Sequence, residues 1–543
     1  MSYRLVLSLL TLTAACVDPN RDVPPDGSGE PPRGGDTDVT TDTDVDPSGD
    51  PGDDGAAIIT VGAADRILLI GHVLAPDSDF DGSVLVEADR ITCVEPGDAC
   101  ALQPGALGAT IIDTHGVIAP GLIDTHNHIL FDVFDDTDWL PHQLYTNHNQ
   151  WTEEPRYSAM LDVKQCLENA SQGKPDYCAL TTYGSSDGNV KCEMDKWGEL
   201  KGLIAGTTSI VGLPGTSSAC FGSLARSIDT SQNGLSQDKI QTSAIFPPST
   251  SSADGVCANF ADGDTEAYLI HVGEGVDASA LGEFTKLSIA GTDDGCLLAP
   301  QTAITHATAF TEAEFGIMAA RGMKLTWSPA SNLALYGQTT DIPSALAAHV
   351  TVALGPDWSM GGSQNMLDEL RAADGYDNLI WGNQIAPKEL VAMATSHGAQ
   401  ALGLESMLGS IAVGYYADIV VVGGQAAAPY DAILAATPAD VRLVMVGGTV
   451  LYGDVALEDA APAAPGCDTL DICGTPKFLC VATTDTTDKL DQTFADIKDT
   501  LEQAMSDVDD VSGVGWTFSP LAPVVQCGSR ARVGRASSRW RSP

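Results

Sequence analysis

Basic side chains are scarce in this sequence: 27 Lys and Arg stand against 73 Asp and Glu, a formal charge of -46 over 543 residues. A surface with that balance repels nucleic acid and anionic membrane faces, so nucleic acid is not expected as a partner. The apolar run Leu5-Val6-Leu7-Ser8-Leu9-Leu10-Thr11-Leu12 after Arg4 is too short to span a bilayer as a mature helix, although it has the form of an export signal. No CxxC pair or Cys/His spacing of a structural zinc site occurs, which leaves the 13 cysteines to disulfides or buried thiols. No Gly-rich dinucleotide fingerprint follows a strand-like run, which counts against a doubly wound nucleotide-binding sheet.

What is present divides the chain into unequal parts. An apolar content of 43% at this length implies one large folded domain with appendages. Thr13-Ala14-Ala15-Cys16 resembles a bacterial lipoprotein cleavage box, so residues 1–16 are expected as a signal peptide with Cys16 acylated. The protein is then an exported, membrane-anchored lipoprotein of the cell envelope, or, with ordinary cleavage, periplasmic or secreted. Its only membrane contact would be the N-terminal lipid. Setting Cys16 aside leaves an even twelve cysteines that can pair in an oxidising compartment. Cys93 with Cys100 would close a short loop, while Cys166, Cys178 and Cys192 cluster, as do Cys467, Cys473 and Cys480; connectivity stays open. Residues 17–57, rich in Asp, Pro, Gly and Thr, cannot bury enough surface to offset ordering entropy and read as a disordered acidic linker.

Short β-rich runs at Asp65 to Gly71, Ser83 to Glu87 and Arg90 to Val94 are matched late in the chain by Ala417 to Gly423 and Val441 to Gly448. They predict a small composite β-sandwich domain from residues 58–118 and 410–455. Between them, Thr208 to Val211, Ala267 to Ile270 and Val350 to Leu354 alternate with helix-like stretches. That alternation predicts an α/β fold with a parallel sheet, here a (β/α)8 barrel of TIM type over residues 119–409. Residues 456–543 read as an accessory extension with an amphipathic helix near Asp488 to Ser506 and a basic tail from Arg530 to Arg541.

His126 and His128 flank one residue after the apolar run Val117 to Ile123, and alternation along a strand would turn both toward one metal ion at the C-terminal end of a barrel strand. Alone, a His-x-His pair has many innocent explanations. The stretch Pro120-Gly121-Leu122-Ile123-Asp124-Thr125-His126-Asn127-His128, however, closely resembles the first-strand motif of the amidohydrolase superfamily. Agreement continues in the family's order. His271-Val272-Gly273-Glu274 resembles the fifth-strand His-x-x-Glu of the cytosine-deaminase and chlorohydrolase-like branch. Thr302 to His306 resembles the sixth strand, Ser328 to Leu333 that branch's Pro-x-Ser-Asn loop, and Val352 to Asp357 the eighth strand. The resemblance covers about residues 58–454.

It implies a metal-dependent hydrolase of non-peptide carbon-nitrogen bonds acting on a small molecule. His126, His128, His271 and Asp357 would bind one divalent ion, zinc or iron. Asp357 and His306 would take the proton of the attacking water, and Glu274 would return one to a ring nitrogen or leaving group. No Lys falls at a fourth-strand end in the manner of a carboxylated bridging lysine, since Lys239 precedes that strand and Lys201 lies in a helix-like stretch. One metal is therefore expected, not the pair of a cyclic amidase or dipeptidase relative. An inactive envelope lipoprotein that binds a small molecule is the alternative from a different class. Trp139, His142, His148 and Trp151 could form a pocket rim, with packing or surface roles the commoner use. His115 is read as structural, and Trp358 as a residue that narrows the pocket or stacks on a planar substrate.

Overall fold

In the computed structural model, residues 55–168, 190–212, 224–229, 233–235, 239–243, 246–424, 426–463, 466–482, 492–512 and 515–528 are described. The export signal, Cys16, Cys178, nearly all of the acidic linker and the basic tail from Arg530 lie outside them.

The apolar runs separate into two sheet systems. The N-terminal strands are β1 (Ala57–Thr60), β2 (Ala63–Leu74), β3 (Asp79–Glu87), β4 (Arg90–Pro96) and β5 (Ala109–Pro120). Eight short strands follow: β6 (Leu122–Asp124), β7 (Thr207–Ile210), β8 (Arg226–Ser227), β9 (Ile240–Ser243), β10 (Ala267–Val272), β11 (Thr302–His306), β12 (Lys324–Trp327) and β13 (Thr351–Leu354). All eight are parallel to their paired neighbours and run in chain order, as β6-β7-β8 and as β9 to β13. The last returns to the first, because Thr125 N–H donates to the Leu354 carbonyl at 3.2 Å and Asn127 bridges Asp357 in parallel. This is the eight-stranded α/β architecture that the alternation of strands and helices predicts. Gly355 makes the approach possible, since a Cβ there would stand 2.7 Å from the backbone nitrogen of His126.

The helices between strands start where their sequences dictate. Asp277 accepts the N–H groups of Ser279 and Ala280 to open the helix Ala278–Ser288. Thr311 and Glu314 form a capping box on Glu312–Arg321, whose Phe315 and Met318 are buried, and Gly322 in the left-handed region ends it.

The second system is antiparallel for the most part and is built from both sides of the barrel. The late strands are β14 (Ile419–Gly423), β15 (Val441–Val446), β16 (Thr449–Asp454), β17 (Asp468–Ile472) and β18 (Thr475–Leu479). β14 pairs with β5, so that chain entering and leaving the barrel lies side by side, in the sheet order β17-β18-β16-β15-β14-β5-β2-β3-β4 with β1 on β5. A buried bidentate pair joins the two systems: Arg226, on β8, donates through Nε and an Nη to Asp418 at 2.7 and 2.9 Å, just ahead of β14.

The described residues after 456 are woven into this frame. β17 and β18 extend the sheet from β16, and the helix Phe494–Ser512 packs on Pro155–Leu167 and Lys191–Leu203. Beyond it, Ala522 N–H donates to Val133 O at 3.0 Å, its own carbonyl accepts from Trp197 Nε1 at 3.1 Å, and Gln526 Nε2 donates to Asp135 at 3.0 Å. Disulfides join Cys93–Cys100, Cys257–Cys296, Cys467–Cys480 and Cys473–Cys527; Cys166 and Cys192 are disulfide-bonded as well. Among the described residues no helix is long and apolar enough to cross a membrane.

Candidate functional site

The histidine pair sits one step beyond its strand. β6 ends at Asp124, and His126 and His128 occupy the segment that follows. What aims their rings is therefore not strand alternation but a set of fixed bonds. Asp124 accepts the His126 N–H at 2.9 Å and the Asn127 side chain at 3.0 Å; Asn127 N–H donates to Val211 O, and His128 N–H to Asp357 O. His271 lies within β10, and Gly273 at φ 75° turns the chain so that Glu274 follows. His306 ends β11 with φ 73°, and Asp357, three residues past β13, also has φ 73°. Two non-glycine residues in the left-handed region at strand ends mark conformations that the surrounding bonds impose.

The rings converge. His126 lies with its centroid 5.0 Å from His128, 4.6 Å from His271 and 5.3 Å from His306, and Asp357 Oδ1 is 3.1 Å from His126 Nε2 and 3.4 Å from His128 Nε2. Two overlapping groups, His126-His271-His306 and His126-His128-Asp357, each place their ligand atoms within 4.8 Å of one another. His306 thus shares a group with the expected ligands His126 and His271, but not with His128 or Asp357. Burial drives the imidazoles of His126, His128 and His306 well below the ordinary histidine range, and that of His271 below it, so all four are uncharged at neutral pH.

Two of the rings are held from behind. His271 Nδ1 faces the Ser243 carbonyl at 3.3 Å, and His306 Nδ1 faces Asn332 Oδ1 at 3.1 Å, so in both an Nδ1–H donates and Nε2 keeps its lone pair. The Asn332 amide is fixed in turn by donating to Thr339 and Thr340. Ser331 Oγ donates to Asp357 Oδ2, leaving Oδ1 for the histidines. Glu274 is 5% exposed; burial pushes its carboxyl up to about 7. Residues 257–451 match the profile of the Amidohydrolase family.

Residues 257–451 are an amidohydrolase-family domain. A 5'-deoxyadenosine deaminase of Methanothermobacter thermautotrophicus is 26% identical over 416 residues, 73% of this chain and 95% of its own. A 5-methylthioadenosine/S-adenosylhomocysteine deaminase of Desulforudis audaxviator is 28% identical over 426 residues, 71% of this chain and 93% of its own. Among solved structures, a triazine hydrolase variant aligns over 74% of this chain and 96% of its own, with a TM-score of 0.53 at 18% identity. Guanine deaminase from Bradyrhizobium japonicum aligns over 72% and 99%, with a TM-score of 0.52 at 17% identity. At those identities the likeness is one of fold.

Of the six residues singled out in the sequence, the fold brings His126, His128, His271, His306 and Asp357 into the two overlapping groups, and Glu274 stands close enough to Asp357 to feel its charge. The Pro-x-Ser-Asn segment, expected as a loop, is the first turn of a helix, Pro329–Tyr336, with Pro329 supplying the preset φ. Lys239 precedes β9 at the opposite strand end from the histidines and faces Glu266 at 3.4 Å. Lys201 is buried 3.4 Å from Gln364 Oε1, where Asp132, Asp135 and Asp138 raise its pKa against the larger lowering by burial. Neither belongs to the ligand groups. His142 is exposed and pairs with Glu154, and His115 pairs with Asp113 on β5.

Trp139 and Trp151 are buried in aromatic packing, the commoner use expected of them. With Phe131 and Tyr157 they surround Trp358, at centroid distances of 5.2 to 6.0 Å, and Trp358 lies 5.7 Å from His128. Tyr336 and Glu283, unassigned from the sequence, reach the site together with Trp151 and His148. Tyr336 OH donates to Glu274 Oε1 at 2.6 Å, Trp151 Nε1 donates to Tyr336 OH at 2.9 Å, and His148 pairs with Glu283 at 2.7 Å while its N–H donates to Glu274 O.

Proposed function

We propose that the protein is a one-metal amidohydrolase that removes an amino group from a planar nitrogen heterocycle, the adenine of a 5'-modified nucleoside being the first class to test. The observation that carries this reading is the pair of overlapping donor groups, His126-His128-Asp357 and His126-His271-His306, with Glu274, whose carboxyl burial pushes up to about 7, just past the Gly273 turn that follows His271. The deaminases of 5'-deoxyadenosine and of 5-methylthioadenosine/S-adenosylhomocysteine among the relatives support the nucleoside class.

The donor set suits a metal ion. The imidazoles are uncharged, as ligation requires, the Nε2 lone pairs of His271 and His306 are kept free by bonds at Nδ1, and His126 Nδ1 is buried with no partner. His126, His128, His271 and Asp357 would hold one zinc or iron ion. When bound, the ion supplies Lewis acidity at neutral pH. His306, through Nε2, takes a proton from the attacking water, and Asn332 fixes the tautomer that allows it. Glu274 delivers a proton to the ring nitrogen or the departing amine, so that water and the aminoheterocycle become the oxo-heterocycle and ammonia. The aromatic group around Trp358 offers a planar ring a stacking surface, and Trp358 Nε1, buried without a partner, is a donor for a substrate acceptor.

Zinc-loaded protein is expected to release ammonia from 5'-deoxyadenosine or a related aminopurine nucleoside, to lose the activity to a chelator and to regain it with zinc, at one ion per chain. Full activity with two ions per chain, or activity indifferent to chelation, overturns the reading.

We also propose that the protein is exported and anchored through acylated Cys16, on the strength of the leader pattern and of disulfides that fit an oxidising compartment. Labelled palmitate is expected to enter the wild type and not Cys16→Ser. Equal labelling of both, or of neither, rejects the anchor.

A further inference from the structure

Glu274 is held by a chain of two donors that runs in one direction. Its Oε1 accepts the phenol of Tyr336 at 2.6 Å, and the Tyr336 oxygen accepts the indole N–H of Trp151 at 2.9 Å. Tyr336 and Trp151 are 3% and 8% exposed. An indole N–H can only donate, so it fixes the phenol oxygen as acceptor on that side and turns the single phenol proton toward Glu274. Oε1 is thereby committed as an acceptor, and the acid proton of Glu274 belongs on Oε2.

The second donor comes from the aromatic wall. Trp151 ends the short helix His148–Trp151, and the same segment is fastened on both sides of Glu274: Asn147 bridges Gly275 and donates to Asp277 at 2.6 Å, while His148 N–H donates to Glu274 O at 3.2 Å. Seating the wall and orienting the acid are one structural event.

We propose that Tyr336 and Trp151 are positioning residues that hold the transferable proton of Glu274 on Oε2 and make its delivery depend on the seated wall. The proposal rests on the proton-donor role given to Glu274 above. The groups that face Glu274 are His148 from the wall helix, Glu283 from Ala278–Ser288, Asp357 beyond β13 and Tyr336 itself. Of these, His148 and Tyr336 favour the carboxylate, and Asp357 and Glu283 oppose it. Removing the phenol proton therefore makes Glu274 a weaker acid.

The test compares Tyr336→Phe and Trp151→Phe with wild type, each also in a Glu274→Gln background. Tyr336→Phe is expected to lower kcat about tenfold with KM little changed, and to move the alkaline limb of the kcat profile up by about one pH unit. Trp151→Phe should do the same to a smaller degree, and neither substitution should lower kcat further once Glu274 is Gln. An infrared titration needs no substrate: subtracting the Glu274→Gln spectrum isolates the Glu274 carboxyl, whose midpoint should rise in Tyr336→Phe and in Trp151→Phe. An unmoved midpoint in both, or the same loss of kcat in both backgrounds, overturns the relay. A midpoint that moves in a zinc-loaded protein inert toward every aminoheterocycle supports the relay and rejects the hydrolase reading instead.

Discussion

Glu274→Gln is expected to lower kcat on an aminoheterocycle by about 10²–10⁴-fold while the protein keeps its metal and its fold. The amide matches the carboxyl in size and still accepts from Tyr336, so the wall contacts persist; what is lost is a proton that can leave. The sign of the pH dependence follows from burial. With the carboxyl pushed up to about 7, the protonated, working form of Glu274 prevails below that pH, and kcat should fall as pH rises through it. In Glu274→Gln that limb should disappear from the residual rate. Steady-state kinetics across pH 5 to 9, read beside metal content, decides the matter, and a variant within threefold of wild type at every pH removes Glu274 from the chemistry.

Asp357 should be less forgiving. Its Oδ1 faces two histidine Nε2 atoms and its Oδ2 is held by Ser331, so it is the one anionic member of either ligand group. Asp357→Ala and Asp357→Asn are both expected to lose bound metal on dialysis and to lose turnover entirely. Asn is the sharper variant because it tolerates the positive φ that Asp357 adopts, which separates loss of charge from backbone strain. Ser331→Ala, one bond further out, should cost about 10–100-fold in metal affinity or activity. Metal analysis of the dialysed variants is the measurement. Retention of a full equivalent of zinc by Asp357→Asn would exclude the carboxylate as a ligand.

The metal-ligand candidates were legible because each lies in a short run whose order along the chain follows the order of barrel strands. His126 and His128, His306 and Asp357 fall at or just beyond the ends of β6, β11 and β13, and His271 one residue before the end of β10; it is the resemblance of these short runs to the amidohydrolase motifs that singles them out. Even there the reason differs from the expected one, since the first pair is aimed by Asp124, Val211 and Asp357 and not by strand alternation. What could not be read is what depends on partners far apart in sequence. Tyr336 meets Glu274 across 62 residues, and Trp151 meets Tyr336 across 185; no local pattern announces either pair. The same holds for β17 and β18, whose sequence reads as an appendage because their hydrogen-bonding partner is a strand of the composite sheet.

The brace formed by Ala522 and Gln526 on Val133 and Asp135 bears on when the enzyme becomes complete during its own biosynthesis. A nascent chain has already delivered every proposed ligand, and Glu274, by the time Asp357 leaves the ribosome. The stretch that begins at Phe131, beside Trp358, still lacks its outer support until residues 522–526 have emerged and Cys527 has paired with Cys473. About a third of the chain therefore separates Asp357, the last of the proposed ligands, from the residues that brace Val133 and Asp135.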